Sequence, residues 1–292
     1  MQVDIKFLNI ANYKFKDHFP KEFTLENYSS EDLLKSKLWF IKKKMRHQTS
    51  ILDKSVRVKH QKVIMPEGLS FHPSLITQKQ LDQVYENMNH LFTNVLNGTF
   101  KDILTCDQRK DRGLTYLFTG SNEETQYYTK TITQLQTKGY IHLVHLINTY
   151  LDYICKLYRV DNSEEFKNQH IQVILLEYQP KTGIWLHIDN IARYDQGPII
   201  TISVGQPKVT YDMTPVILDN KDAKPLRITT DEGCMIIMDG SSRMEWTHGL
   251  PYDIEPHNGK LKYTVMFKCN KFREEKPRFN KILNHTITSS GV

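Results

Sequence analysis

The sequence predicts a mainly β protein with flanking helices (an α+β class), its core a double-stranded β-helix or jelly roll. Two observations lead there. From about residue 165 to 272, short apolar runs recur at regular spacing between Gly, Pro and Asp, the mark of an all-β sandwich or barrel and not of alternating β and α units. Ahead of them, two longer stretches repeat their apolar residues at helical period.

In chain order, residues 74–97 carry Leu81, Val84, Met88, Leu91, Phe92 and Val95 on one helical stripe. Thr77 and Gln80 stand as a capping box and Gly98 as a stop. Leu143, Val144, Ile147, Leu151, Ile154 and Tyr158 make a second stripe of the same period. Residues 173–178 then read as a buried strand, residues 179–183 as a turn and residues 185–189 as the returning strand of a hairpin. Gly197-Pro198 opens a strand in which Ile200, Ile202 and Val204 alternate with smaller or polar partners. Further strands are expected at residues 234–238, at 246–248 after an Asp-Gly-Ser-Ser turn, and at 261–268.

Chemistry enters with His187-Ile188-Asp189 and with His248 in Trp246-Thr247-His248-Gly249. Residues i and i+2 of a strand point to the same side, so His187 and Asp189 can reach one ion together, with His248 arriving from another strand. Two imidazoles and a carboxylate on one face of a metal leave the opposite positions open, which suits non-haem Fe(II) and oxygen chemistry. An exposed strand with two polar residues shows the same spacing.

Over roughly residues 165–272 these residues resemble the AlkB-like 2-oxoglutarate and Fe(II)-dependent dioxygenases. The parts arrive in that family's order: Tyr178, the His187/Asp189 pair, a Gly-Pro, a Ser-x-Gly strand (Ser203, Gly205), a Gly-x-Ser-Arg turn, His248-Gly249, and a final strand opened and closed by basic residues. The string from Ser242 to Gly249 looks most like the branch that hydroxylates a modified tRNA wobble uridine. The resemblance implies helices buttressing the β core, with His187, Asp189 and His248 as both the iron ligands and the catalytic centre. It places Tyr178, Lys262, Lys268 and Thr264 around the 2-oxoglutarate, and it makes Fe(II), 2-oxoglutarate and O2 the cofactor set. Lys262 and Lys268 stand where the family usually carries two arginines. Lysine offers a point charge where arginine offers a fork, so cosubstrate binding is expected to weaken by roughly tenfold without being lost. Leu176 and Thr264 replace frequent asparagines. Solvent-facing strand positions would also explain the two lysines.

Three residues are substrate candidates. Arg243 lies one turn from His248, where a surface ion pair is the alternative, and Tyr116 and Phe118 lie in the Gly-bracketed segment 112–120 between the two helical stripes. By resemblance that segment is a lid with aromatics to stack on a base; buried hairpin aromatics account for it equally well. Trp246 reads as core packing, and Glu245 and Asp239 as turn residues.

Charge divides the chain. Residues 1–70 hold 14 Lys or Arg against 8 Asp or Glu, so the net charge of +6 comes from that quarter alone. Lys42, Lys43, Lys44 and Arg46, followed by Lys54, Arg57, Lys59 and Lys62, could track phosphates, as could any solvated basic arm. The expected layout is a basic extension over 1–70, a helical and lid segment over 71–164, the β core over 165–272 and a flexible tail over 273–292. Four separated cysteines (Cys106, Cys155, Cys234, Cys269) lack zinc-type pairing and suit a reducing compartment. With neither secretory signal nor apolar span in view, an intracellular protein of the cytoplasm or nucleus is expected, without a membrane partner and of open oligomeric state. The function expected is a dioxygenase acting on a single-stranded or flipped base of DNA or RNA. A protein-directed oxygenase and a catalytically weak nucleic-acid-binding module are the alternatives.

Overall fold

Alternating apolar positions become two antiparallel sheets in the computed structural model, which describes residues 1–7, 65–96, 105–109, 114–119, 127–169, 171–179, 183–188, 197–215, 225–251 and 259–269. The elements are β1 (Val3–Phe7), β2 (Leu69–His72), α1 (Gln78–Leu96), β3 (Thr105–Arg109), β4 (Leu114–Thr119), α2 (Tyr127–Thr137), α3 (Ile141–Leu157) and α4 (Ser163–Gln169). They continue as β5 (Ile171–Tyr178), β6 (Ile184–His187), β7 (Ile199–Val204), β8 (Lys208–Pro215), β9 (Leu226–Asp231), β10 (Met235–Met238), α5 (Gly240–Met244), β11 (Trp246–Leu250) and β12 (Lys262–Cys269). The major sheet runs β2-β10-β7-β12-β5-β4-β3 and the minor sheet β1-β9-β8-β11-β6. This is the mixed α+β class with a jelly-roll core.

One face of the major sheet is packed by helices. Val173, Leu175, Ile200, Ile202, Val204, Met235, Ile237, Val265 and Phe267 join Met88, Leu91 and Phe92 of α1 and Leu143, Ile147 and Leu151 of α3 in one core. Each such side chain contributes about 1.5–3 kcal/mol on leaving water. The capping box at α1 forms as the spacing predicts: the Thr77 N–H donates to Gln80 Oε1 at 2.8 Å and the Gln80 N–H to Thr77 Oγ1 at 3.3 Å.

The other face of the major sheet looks toward the minor sheet. There Ile199, Met213, Leu226, Ile228, Met238 and Trp246 form one apolar cluster, and Ile174, Leu176, Tyr178 and Leu250 form a second; Met266 packs against both.

Four findings go beyond the sequence-based expectations. β8 and β9 form the middle of the minor sheet, although neither stretch stands out in the sequence: β8 mixes Lys, Thr and Asp with its apolar residues and ends on Pro215. α4 is too short and polar to show an apolar stripe, and α2 carries only a brief one, Tyr128, Ile132 and Leu135. β1, inside the basic N-terminal quarter, pairs with β9 from Val3↔Thr230 to Phe7↔Leu226. Finally, Leu114–Thr119, within the segment expected to be a lid, is a strand laddered between β3 and β5, since alternating apolar residues are better satisfied in a ladder than in a loop. The basic residues from Lys42 to Lys62 and the expected tail lie outside the described residues. Among those described, no helix is long and apolar enough to cross a membrane.

Candidate active site

Register brings the two histidines together. β6 and β11 are antiparallel neighbours, and His187 stands directly opposite His248, with the ladder shifting between His248 and Leu250. Their ring centroids are 4.6 Å apart at an interplanar angle of 49°. Such an irregularity beside a functional side chain is a common device for aiming it. β6 can lie this close because Gly183 precedes it; a Cβ there would collide with the Leu250 carbonyl oxygen. Along β11, Trp246 and Leu250 belong to the two interior clusters, so His248, which alternates in step with them, faces the same interior. His248 is buried and His187 half-buried. Asp189 lies outside the described residues, and among those described no group of three or more metal-ligating side chains forms.

A polar pocket occupies the same interior. Lys262, at the start of β12, is the register partner of Tyr178 on β5, and its Nζ sits 4.7 Å from the centre of the Tyr178 ring. A second ring approaches from the facing sheet: Tyr211 of β8 has its centroid 5.5 Å from the same Nζ. Although the residue as a whole is half-buried, its ammonium lies deep, and desolvation draws Lys262 down to about 7. No carboxylate among the described residues pairs with it. Thr264, two residues on, shares its face, and its Oγ1 lies 3.2 Å from Ser203 Oγ, which is 2.9 Å from the Tyr211 hydroxyl. Lys268 is on the same face but at the other end of β12, opposite Gln172 and Ile199, six residues or about 20 Å along the strand from Lys262.

The remaining candidates are placed differently. Arg243 in α5 is fully buried and donates from Nη1 to the carbonyl oxygen of Gly197, tying the turn before β11 to the segment before β7. Trp246 is buried in the core. Asp239 caps α5, accepting from the Gly240 N–H at 2.8 Å, and Glu245 is exposed and accepts from the Ser241 hydroxyl at 2.8 Å. The backbone register sets Tyr116 opposite Leu176 and Phe118 opposite Ile174.

Two residues with chemical potential escape sequence reasoning. Tyr211 is hidden in a strand of mixed composition, where only the alternation Val209, Tyr211, Met213 could have revealed it. Glu177 lies on the helix-packed face, 5% exposed, receiving Gln179 Nε2 at 2.6 Å and the Tyr263 hydroxyl at 3.3 Å. Burial pushes its carboxyl above the usual range.

A family model described as the 2OG-Fe(II) oxygenase superfamily matches residues 72–280 of this chain. Among solved structures, OsALKBH1 is similar at 13% identity, with 71% of this chain and 100% of that one covered and a TM-score of 0.38. A rice dioxygenase for auxin oxidation is similar at 7% identity, covering 70% of this chain and 74% of that one, with a TM-score of 0.46. A Pseudomonas putida prolyl-4-hydroxylase is similar at 11% identity over 70% of this chain and 93% of its own, with a TM-score of 0.35. No curated protein matches the sequence.

Proposed function

The chain belongs to the 2OG-Fe(II) oxygenase superfamily, and on that premise we propose an AlkB-type activity, hydroxylation or oxidative demethylation of a base in DNA or RNA. It is a 2-oxoglutarate-dependent dioxygenase whose reaction uses Fe(II), 2-oxoglutarate and O2. In this proposal His187, Asp189 and His248 hold the iron, and Lys262, Tyr178 and Thr264 receive the cosubstrate, with Lys268 at the far end of the same strand.

The donor set fits the ion. Two imidazoles bound at right angles, each with a nitrogen about 2.1 Å from a metal, have centroids roughly 4.5 Å apart, and the observed separation is 4.6 Å. Asp189, two residues from His187, completes a set with open positions. Fe(II), O2 and 2-oxoglutarate together supply oxidation of a C–H bond to an alcohol, with release of succinate and CO2. The chain's own work is binding and exclusion of water. The Lys262 ammonium, buried between two rings and without a carboxylate partner among the described residues, is the observation that carries the cosubstrate assignment, because a buried cation of this kind is stabilised by an anion brought in as ligand. Thr264 and Ser203 offer hydroxyls beside it, and Leu176, Ile174 and Met266 keep the surroundings apolar.

Nucleic acid as substrate is supported by the order of motifs from Tyr178 to Lys268 and by the charge excess of residues 1–70. Reaching a base requires a single strand or a flipped nucleotide. Where the oxidised carbon is bonded to nitrogen, the alcohol collapses to formaldehyde and the demethylated base. The Fe(II)-loaded chain, given 2-oxoglutarate and single-stranded oligonucleotides with methylated bases, should form succinate in step with a mass change of the base. His187→Ala should form none, and oligonucleotide binding should weaken as salt rises. Succinate formation stimulated by peptides and never by nucleic acid would overturn the substrate assignment and leave the oxygenase standing.

A further inference from the structure

We propose that Tyr211 determines which 2-oxo acid the pocket accepts, by holding the Lys262 ammonium at a single depth between the two sheets. This rests on the assignment of Lys262 to the cosubstrate. A lysine brings a compact charge on a flexible stem of four rotatable bonds, with no fork to fix the angle of approach. Left to itself, such a stem would meet diacids of several lengths by extending or folding. Here it is not left to itself. Tyr178 touches it from the neighbouring strand of the same sheet and Tyr211 from the opposite sheet, so the ammonium is held between a ring of its own sheet and a ring of the facing one. The Tyr211 ring is itself fixed, its hydroxyl 2.9 Å from Ser203 Oγ, and Ser203 Oγ is 3.2 Å from Thr264 Oγ1. Thr264 stands opposite Ser203 in the ladder and two residues from Lys262. The contacts therefore close a ring, Lys262 to Tyr211 to Ser203 to Thr264 and back along β12, that joins both sheets. Burial keeps the Tyr211 phenol protonated, so it remains a neutral neighbour of the ammonium and competes with no carboxylate for it.

Held at one depth, the cation keeps one separation from the metal-proposed histidines on β6 and β11, and a diacid one methylene shorter or longer is expected to bind more weakly. The test is direct binding, by calorimetry with Mn(II) in place of Fe(II), of the four-, five- and six-carbon 2-oxo diacids oxaloacetate, 2-oxoglutarate and 2-oxoadipate. The wild-type chain should prefer 2-oxoglutarate over each of the others by roughly tenfold or more, the discrimination that one methylene supports. Tyr211→Leu should reduce that preference to about threefold or less, and Tyr211→Phe, which keeps the ring and loses the anchor to Ser203, should reduce it by about threefold. A residue that merely packed would weaken all three diacids equally, so an unchanged preference in Tyr211→Leu overturns the proposal. Should that variant not fold, an unchanged preference in Tyr211→Phe overturns it instead. Binding of none of the three diacids by the wild-type chain would remove the cosubstrate assignment of Lys262, and this proposal with it.

Discussion

The two faces of β12 invite comparison. On one, Tyr263, Val265, Phe267 and Cys269 are each 0% exposed and lie in the core that β5, β7 and β10 share with α1 and α3. On the other, Lys262, Thr264, Met266 and Lys268 look between the sheets, where a cation, a hydroxyl network and two tyrosines interrupt the apolar packing. The same strand thus stabilises the fold with its odd residues and serves the site with its even ones. Burial alone does not separate the two: Tyr211 and Lys262 have deep polar groups, as does Glu177 on the helix side. What separates them is partnership. Glu177 is satisfied by Gln179 and Tyr263, while the Lys262 ammonium, among the described residues, meets the faces of two rings and no carboxylate.

That contrast can be broken from either side. His248→Ala should lower succinate formation by about a thousandfold or more, because it removes a proposed ligand, while costing little stability; retention of more than a tenth of wild-type turnover would contradict its role. Phe267→Ala, on the opposite face, should cost about 3–5 kcal/mol in urea unfolding, and a smaller loss would mean that the helix-packed face is not the main source of stability. Lys262→Ala should weaken 2-oxoglutarate by about 1.5–3 kcal/mol, roughly tenfold to a hundredfold, with an unchanged or raised melting temperature, since it deletes a buried charge. A drop in melting temperature without loss of affinity would make Lys262 a structural residue.

Acidity sharpens the same point. Lys262 titrates at about 7 in the fold against an ordinary 10.5, so between those values the unfolded chain binds more protons, and the unliganded fold gains stability as pH rises. A carboxylate ligand prefers the charged lysine, so above pH 7 its binding takes up a proton and its affinity falls by up to about tenfold per unit. Of its two ring neighbours, Tyr211 is kept protonated by burial. Calorimetry in buffers of different ionisation enthalpy reads the proton, and no uptake at pH 8 would refute the coupling. The smallest expected effect is on the helix side. The Glu177 carboxyl is raised in the fold, so its contribution is lost as pH rises above the ordinary carboxylate range. Glu177→Gln should therefore gain about 1 kcal/mol or less at pH 8, and a measured loss of stability would show the carboxylate to be needed as such.

Much of this was readable residue by residue. The stripe from Leu81 to Phe92 and its Thr77/Gln80 cap predict α1, and β5, β7, β10 and β12 follow from apolar runs bounded by Gly, Pro and Asp. β8, β9 and α2 were not legible, because their apolar patterns are brief and set among polar residues, so that neighbouring elements supply most of what places them. The same holds for Tyr211, which becomes significant only because β8 lies across from β12. Arg243 shows the converse: its sequence position suggests exposure or substrate contact, whereas its side chain is fully buried against the Gly197 carbonyl.

By itself the sequence determined the kinds of donor available and the face each would take, since the period of a strand is a local property of the covalent chain. It could set His187 in phase with Asp189, and Lys262 with Thr264. Only the tertiary structure decided that β6 lies against β11 with His187 opposite His248, and that a tyrosine from each sheet meets one ammonium. Strand order and register arise from the summed packing of both sheets and their helices, so no short stretch of residues contains them.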